Sequence, residues 1–276
     1  MTAEPTTIAA KGAALYGLIY RPEGAPKAAL VIHPAVGVPQ GFYRNFCAWA
    51  AGEGRLCLTY DYRGFGASGD PAASPATMVD WGLTDQSGAL AHLKTLAPGA
   101  PIHVVGHSLG GYMTPFHESA GEIAAMTAVA SGPAYWRRHP WPFRLSAMAF
   151  WWGPGPLLTA LLGKAPGWLF GGDDIPKGVF WTWRRWCTAP DFYARDIGGA
   201  LPDPQRPGFT GRLRTLAFTD DALIPPPVVA KLADYYPGAQ IDARTIAPAD
   251  HGLGKIGHVG AFSKRNAALW PLILPE

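Results

Sequence analysis

The residues with the plainest chemical content are Gly106-His107-Ser108-Leu109-Gly110-Gly111, which directly follow the apolar run Pro101 to Val105. A strand that stops and turns sharply into a helix places its corner residue in a strained backbone geometry, and only small flanking residues let the two segments approach. Gly106 and Gly110 supply that room, so Ser108 is expected at the corner as a nucleophile. The backbone amide of Leu109, at the start of the expected helix, can donate to an anion. A serine hydroxyl is a weak nucleophile near neutral pH. It needs a base within hydrogen-bond reach and a carboxylate that orients the base.

The later part of the chain offers both. Thr215 to Thr219 reads as an apolar strand, and it ends in Asp220-Asp221 before the proline-marked turn Ile224-Pro225. Asp221 has the better spacing, because Asp-x-x-Ile-Pro puts the carboxylate at the strand end and lets a helix begin near Pro226 or Pro227. Asp220 is the second choice. Of the eight histidines, His103 lies within a strand, His92, His117 and His139 lie in helical or inserted segments, and His33 and His107 flank the anion-binding region. His251 and His258 remain, both in the Gly-rich loop Asp250 to His258, and either completes the chain order Ser, Asp, His. His258 is preferred because it adjoins the apolar segment that anchors the loop, and a general base must hold a fixed position. His251 is the alternative. A second anion donor is expected after the apolar strand Ala28 to His33. Pro34 has no amide hydrogen, so the backbone amide of Ala35 is the candidate.

These residues need a sheet edge to bring them together. Thr6 to Ala10 and Leu15 to Arg21 read as an opening hairpin, and Ala28 to His33, Leu56 to Tyr62, Ile102 to Val105, Ile123 to Ser131, Thr215 to Thr219 and Gln240 to Ile246 as further strands. Helical spacing appears between them, at Phe42, Phe46, Trp49 and Ala50, over Asp80 to Leu96, and in a closing segment around Ala261 to Leu274. The alternation predicts an α/β domain with a mostly parallel, doubly wound sheet and ligands at its carboxyl edge. The expected core is residues 1–131 and 207–276. Residues 132–206, too long for one crossover, are expected to form a helical cap: eight of the 11 tryptophans lie here. Most should pack the cap's own core and some should line a substrate cavity, with apolar surface beneath and polar surface outside.

Composition narrows the function. Charged residues are only 16% and the formal charge is +3, so there is neither a basic field for nucleic acid nor an acidic tail. The cysteines Cys47, Cys57 and Cys187 have no metal-like spacing, and Met1 to Pro5 lacks a basic stretch followed by an apolar one, which points to a reducing cytoplasm. The uncharged run Leu145 to Gly163 is broken by Gly153-Pro154-Gly155-Pro156 and reads as two short apolar helices, without stable membrane insertion. No metal or organic cofactor is expected, and oligomeric state is unspecified.

The Ser, Asp and His pattern, with Asp61-Tyr-Arg-Gly-Phe-Gly-Ala-Ser68 after the fourth strand, resembles the α/β-hydrolase superfamily over nearly the whole chain. Ala35 to Tyr43, Ser131 to Trp136, Trp183 to Cys187 and Ile256-Gly-His-Val-Gly-Ala-Phe262 resemble a bacterial group of that superfamily related to the serine aminopeptidase, or monoacylglycerol-lipase-like, branch. The resemblance implies that the histidine of Ile-Gly-His, His258, is the triad member. His33-Pro34 stands where the superfamily has His-Gly. The expected activity is hydrolysis of a carboxylic ester with an apolar acyl or aromatic part, acting on a small molecule. Acyl transfer or thioester hydrolysis with the same triad is the neighbouring reading, and a slow-turnover, receptor-like ligand-binding protein is the reading of another class.

Overall fold

The computed structural model describes residues 3–206 and 208–276. Met1, Thr2 and Pro207, where the core is expected to begin and to resume, lie outside the described residues. The chain opens with an antiparallel hairpin, β1 (Glu4–Ala10) and β2 (Ala13–Tyr20). Then β3 (Ala28–His33), α1 (Arg44–Gly52), β4 (Arg55–Tyr60), α2 (Gln86–Leu96), β5 (Ile102–His107) and β6 (Ile123–Val129) follow. A long insertion carries α3 (Phe143–Trp152), α4 (Pro154–Leu162), the two-residue strands β7 (Lys164–Ala165) and β8 (Ile175–Pro176), and α5 (Lys177–Cys187). The sheet resumes with β9 (Arg212–Phe218), the short α6 (Pro226–Val229) and β10 (Gln240–Ile246), and the chain closes on α7 (Trp270–Ile273).

Eight strands form one sheet in the order β1-β2-β4-β3-β5-β6-β9-β10, parallel from β4 onward. The burial pattern explains the order. All six residues of β3 and of β5 are buried, as central strands covered on both faces require, whereas β1 and β2 alternate like edge strands. One face is covered by Phe46, Cys47 and Ala50 of α1 together with Phe262, Trp270 and Ile273. The other is covered by Trp81 and by Ala89, Leu90 and Leu93 of α2.

Register sets the site. His33 pairs with Gly106, His107 with Val129, Val129 with Leu216, and Phe218 with Ile246. Five strands therefore end at one level, and the loops after them leave the carboxyl edge side by side. The expected helix after Ser108 is absent. In its place Ser108–Gly111, Thr114–Phe116 and Ala120–Glu122 form three 3-10 turns. The paired glycines needed for close packing are poor helix formers, and Pro115 removes an amide and restricts Thr114. The closing helix is likewise shortened, with 3-10 turns at Gly260–Phe262 and Lys264–Leu269 before α7.

Candidate active site

Ser108 is the corner between β5 and its turn, with φ of 52°, one of three non-glycine residues in the left-handed region among those described. Neighbouring backbone holds it there. A Cβ on Gly106 would lie 2.2 Å from the carbonyl oxygen of Gly110, and one on Gly110 would lie 2.1 Å from that of His33. No side chain fits at either position. Ser131, just past β6, donates its hydroxyl to the Ser108 carbonyl at 2.6 Å and ties the corner from the other flank. The other two left-handed residues adjoin the same place: Ala130 precedes Ser131, and Phe192 lines a cavity with Ser108. Strain concentrated at one rim, held by surrounding structure, is a common mark of a functional site.

The geometry separates the two aspartates. Asp221 is buried at the end of the β9 loop and accepts from His258 Nδ1 at 2.9 Å through one carboxylate oxygen. Its other oxygen accepts the amides of Leu223 and Ile224 at 2.8 and 3.0 Å. Burial alone raises the Asp221 carboxyl, but the His258 imidazole and these two amides more than offset it and hold the group below its ordinary value. The carboxylate thus stays ionised and accepts a hydrogen bond from Nδ1–H, leaving Nε2 of His258 as the basic nitrogen. Asp220 does different work. Its carboxylate accepts the amides of Ile256 and Gly257, at 2.8 and 3.0 Å, and pins the loop just before His258. Asn266 grips the loop from outside, donating to the carbonyls of Lys255 and Gly260. His251 is exposed and has no hydrogen-bonded side-chain partner among the described residues.

One buried hydrogen-bond chain joins the nucleophile strand to the base. His107 Nε2 faces the carbonyl oxygen of His258 at 2.9 Å, so it carries the proton and donates. His107 Nδ1 must then accept, and the Tyr43 hydroxyl donates to it at 2.8 Å. Burial first, and then the nearby His258, push the His107 pKa down to about 3, so the ring is neutral and keeps this tautomer. The backbone of residue 258 is thereby fastened to the residue preceding Ser108. The rings of His107 and His258 lie 5.3 Å apart between centroids. The hydroxyl of Ser108 makes no hydrogen bond to His258 here; the two are brought to the same rim without a closed contact.

Ala35 departs from expectation. Its amide is not free for an anion, because it donates to the Tyr43 hydroxyl at 3.0 Å. Tyr43 sits at the entrance to α1, fully buried, and its hydroxyl reaches the spot where the Ala35 amide points. The turn from Ala35 to Val38, closed by Val38 N–H on the Ala35 carbonyl and with φ of 70° at Gly37, instead brings Val36 into the wall of the cavity beside Ser108. Leu109 holds the first amide past the corner, where a helical turn has no acceptor of its own for it. The motif Asp61 to Ser68 proves to be scaffold. Asp61 accepts the amides of Gln40 and Ala67, and Arg63 pairs with buried Asp85 at 2.7 Å.

One small cavity adjoins the corner and a larger one lies behind it. The first, about 30 Å³, touches Ser108, Val36, Tyr112 and Phe192; the second, about 270 Å³, is walled by Phe143, Ala147 and Phe150 of α3 and by Phe170. His139, Trp151, Trp183 and Leu223 line both and form the partition between them. Of the tryptophans in the insertion, Trp186 is buried with its indole N–H on Asp196, while Trp141, Trp152 and Trp168 are exposed.

Fold and corner together define an α/β serine hydrolase. Residues 24–169 match the serine aminopeptidase family S33, and the chain belongs to that family. No curated protein sequence gives a significant match. Similar solved structures include an esterase from Pyrococcus furiosus, 13% identical with a TM-score of 0.63, covering 99% of this chain and 88% of that one. An α/β serine hydrolase without lid from Xanthomonas campestris is 11% identical with a TM-score of 0.57, covering 98% and 93%. An enzyme described as degrading N-acyl homoserine lactones is 19% identical with a TM-score of 0.59, covering 96% and 98%.

Proposed function

We propose that the protein hydrolyses a carboxylic ester with an apolar acyl or aromatic part, using Ser108 as nucleophile, His258 as general base and Asp221 as its orienting carboxylate. The observation that carries this reading is the bond from His258 Nδ1 to Asp221 beside the strained serine corner. Closure of the Ser108 to His258 contact accompanies substrate binding, since catalytic hydrogen bonds in empty sites are often long. Ser108 Oγ then forms a bond to the ester carbonyl carbon as its proton passes to His258 Nε2. The oxyanion is held by the amide of Leu109 and, in place of Ala35, by that of Val36. The tetrahedral intermediate collapses with cleavage of the bond to the alcohol oxygen, which leaves with the proton from His258. Water, deprotonated by the same imidazole, releases the acid and restores Ser108.

The insertion, residues 132–206, acts as the cap, and the cavity behind Trp151 and Trp183 takes the acyl or aromatic group. Its apolar walls favour an uncharged group over an ionised one. The buried, unpaired Cys47, Cys57 and Cys187 are in keeping with a reducing compartment. A panel of chromogenic esters graded in acyl length, with an acyl homoserine lactone included, tests the reading. Turnover of apolar esters that is lost in Ser108→Ala supports it. Turnover of none of them, or an active Ser108→Ala, contradicts it.

A further inference from the structure

The insertion was expected to turn apolar surface inward and polar surface outward, yet its first two helices do the reverse on one side. Leu145, Met148 and Trp152 of α3 and Leu157, Leu161 and Leu162 of α4 are all exposed, Leu161 to 71%. Only 22% of the most apolar window in Phe143–Leu162 is buried, so the fold itself has no use for most of this apolarity. Trp141 precedes the pair and Trp168 follows it, both more than half exposed. The break at Gly153 leaves helices of 10 and 9 residues, each about half the length that crosses a bilayer.

The charges at the Trp141 end of this surface have one sign, whereas Asp173 and Asp174 stand with Lys164 at its Trp168 end. Between Glu122 and Asp173 the chain has no acidic residue. Lys164 is neutralised by Asp174, but Arg137, Arg138 and Arg144 make no ion pair among the described residues. Two of them lie over indoles, Arg137 over Trp136 and Arg144 over Trp141. Exposed leucines bordered by tryptophan and arginine make up the composition of a segment that lies in a membrane interface. A second copy of the chain fits less well. A two-fold contact through the Trp141 end of this face would bring like-charged arginine clusters together.

We propose that α3 and α4 dock on an anionic phospholipid surface, lying in the interface without spanning it. The opposite side of α3 walls the 270 Å³ cavity, which shares His139, Trp151, Trp183 and Leu223 with the small cavity at Ser108. Resting on the esterase reading, docking would present that cavity to esters dissolved in the lipid; the docking itself does not depend on catalysis.

Ser108→Ala full-length protein separates the two questions. It is sedimented with vesicles of phosphatidylcholine alone and of phosphatidylcholine mixed with phosphatidylglycerol. The mixed vesicles should bind it at least about tenfold more tightly, and Leu157→Asp with Leu161→Asp should weaken that binding by about tenfold or more. The same two substitutions in the active protein should leave turnover of a water-soluble ester unchanged, which also shows that the fold is intact. No binding to mixed vesicles, equal binding to both kinds, or binding indifferent to the aspartates overturns the proposal. So does a dimer in solution that the aspartates dissociate, which would assign the face to a second copy. Failure of ester turnover alone would overturn the esterase reading and leave the docking result standing.

Discussion

The corner at Ser108 lines the smaller of two neighbouring cavities and α3 walls the larger, and the two regions are built on opposite physical terms. At the corner, backbone meets backbone at distances that exclude even a methyl group, and each polar atom of Asp221, Asp220 and His107 has an assigned partner. Across the cavities the contacts are between aromatic rings, with Trp151 and Trp183 at 5.0 Å edge to face and Phe150 touching both. Ring contacts of this kind tolerate sliding and repacking, whereas interpenetrating backbone does not. The difference divides the labour. In the proposed hydrolysis, the rim would supply the chemistry and the insertion would select the acyl group.

Four tests bear on that contrast, the most severe first. Gly110→Ala sets a methyl group against the His33 carbonyl, and it should cost at least about 4 kcal/mol of stability or prevent folding; Gly163→Ala, open to solvent at the end of α4, should cost far less despite its φ of 71°. Comparable thermal unfolding of the two would refute the rigid-rim picture. Asp221→Asn should lower kcat about 10⁴-fold by presenting the wrong imidazole tautomer. Asp220→Asn, which only loosens the loop, should lower it by about ten- to a hundredfold. A reversed ranking would reassign the carboxylate.

Val36→Pro comes next. Proline fits the second position of a turn whose third residue, here Gly37, has a positive φ, so the change removes the amide hydrogen, with Val36→Ala as the control for the side chain also lost from the cavity wall. It should reduce kcat about 10²- to 10³-fold with the protein still folded. Unchanged turnover would return the second donor to Ala35 or elsewhere.

The gentlest effect is on pH. Burial lowers His33 well below its ordinary value, His103, His117 and His139 to about 4, and His107 to about 3. A depressed histidine adds stability that is complete above its unfolded value and fades as the pH falls toward its folded one. Asp85, raised to about 6, and Asp61, also raised, work the other way. Unfolding near pH 5 should therefore take up a net of about three protons, and melting temperatures should drop from neutrality toward that pH. A flat profile across that window would mean that these rings are not buried in solution.

Much of this was legible in the chain. Wholly apolar runs such as Ala28 to His33 mark buried parallel strands directly, and the spacing from Asp221 to Pro225 singles out the aspartate that the geometry joins to His258. Other parts were closed to sequence reading for definite reasons. Asp220 looks like its neighbour until the loop amides it receives are seen. Tyr43 lies 64 residues from His107, Asn266 carries no pattern that marks the loop it grips, and a buried tyrosine opening an apolar helix reads as core. Removing the proline amide from consideration pointed to Ala35, but nothing local signals that a hydroxyl eight residues later takes that hydrogen bond. Nor does helical periodicity reveal that the apolar side of α3 and α4 faces outward.

In the proposed mechanism the imidazole at 258, and not the one at 251, activates the hydroxyl at 108. It is tested most directly by the rate at which a fluorophosphonate labels Ser108 in the wild type, in His258→Ala and in His251→Ala, with the labelled peptide identified by mass spectrometry. Labelling at Ser108 should be slowed about 10³-fold or more in His258→Ala and unchanged in His251→Ala. Equal labelling of wild type and His258→Ala, or loss confined to His251→Ala, would contradict it.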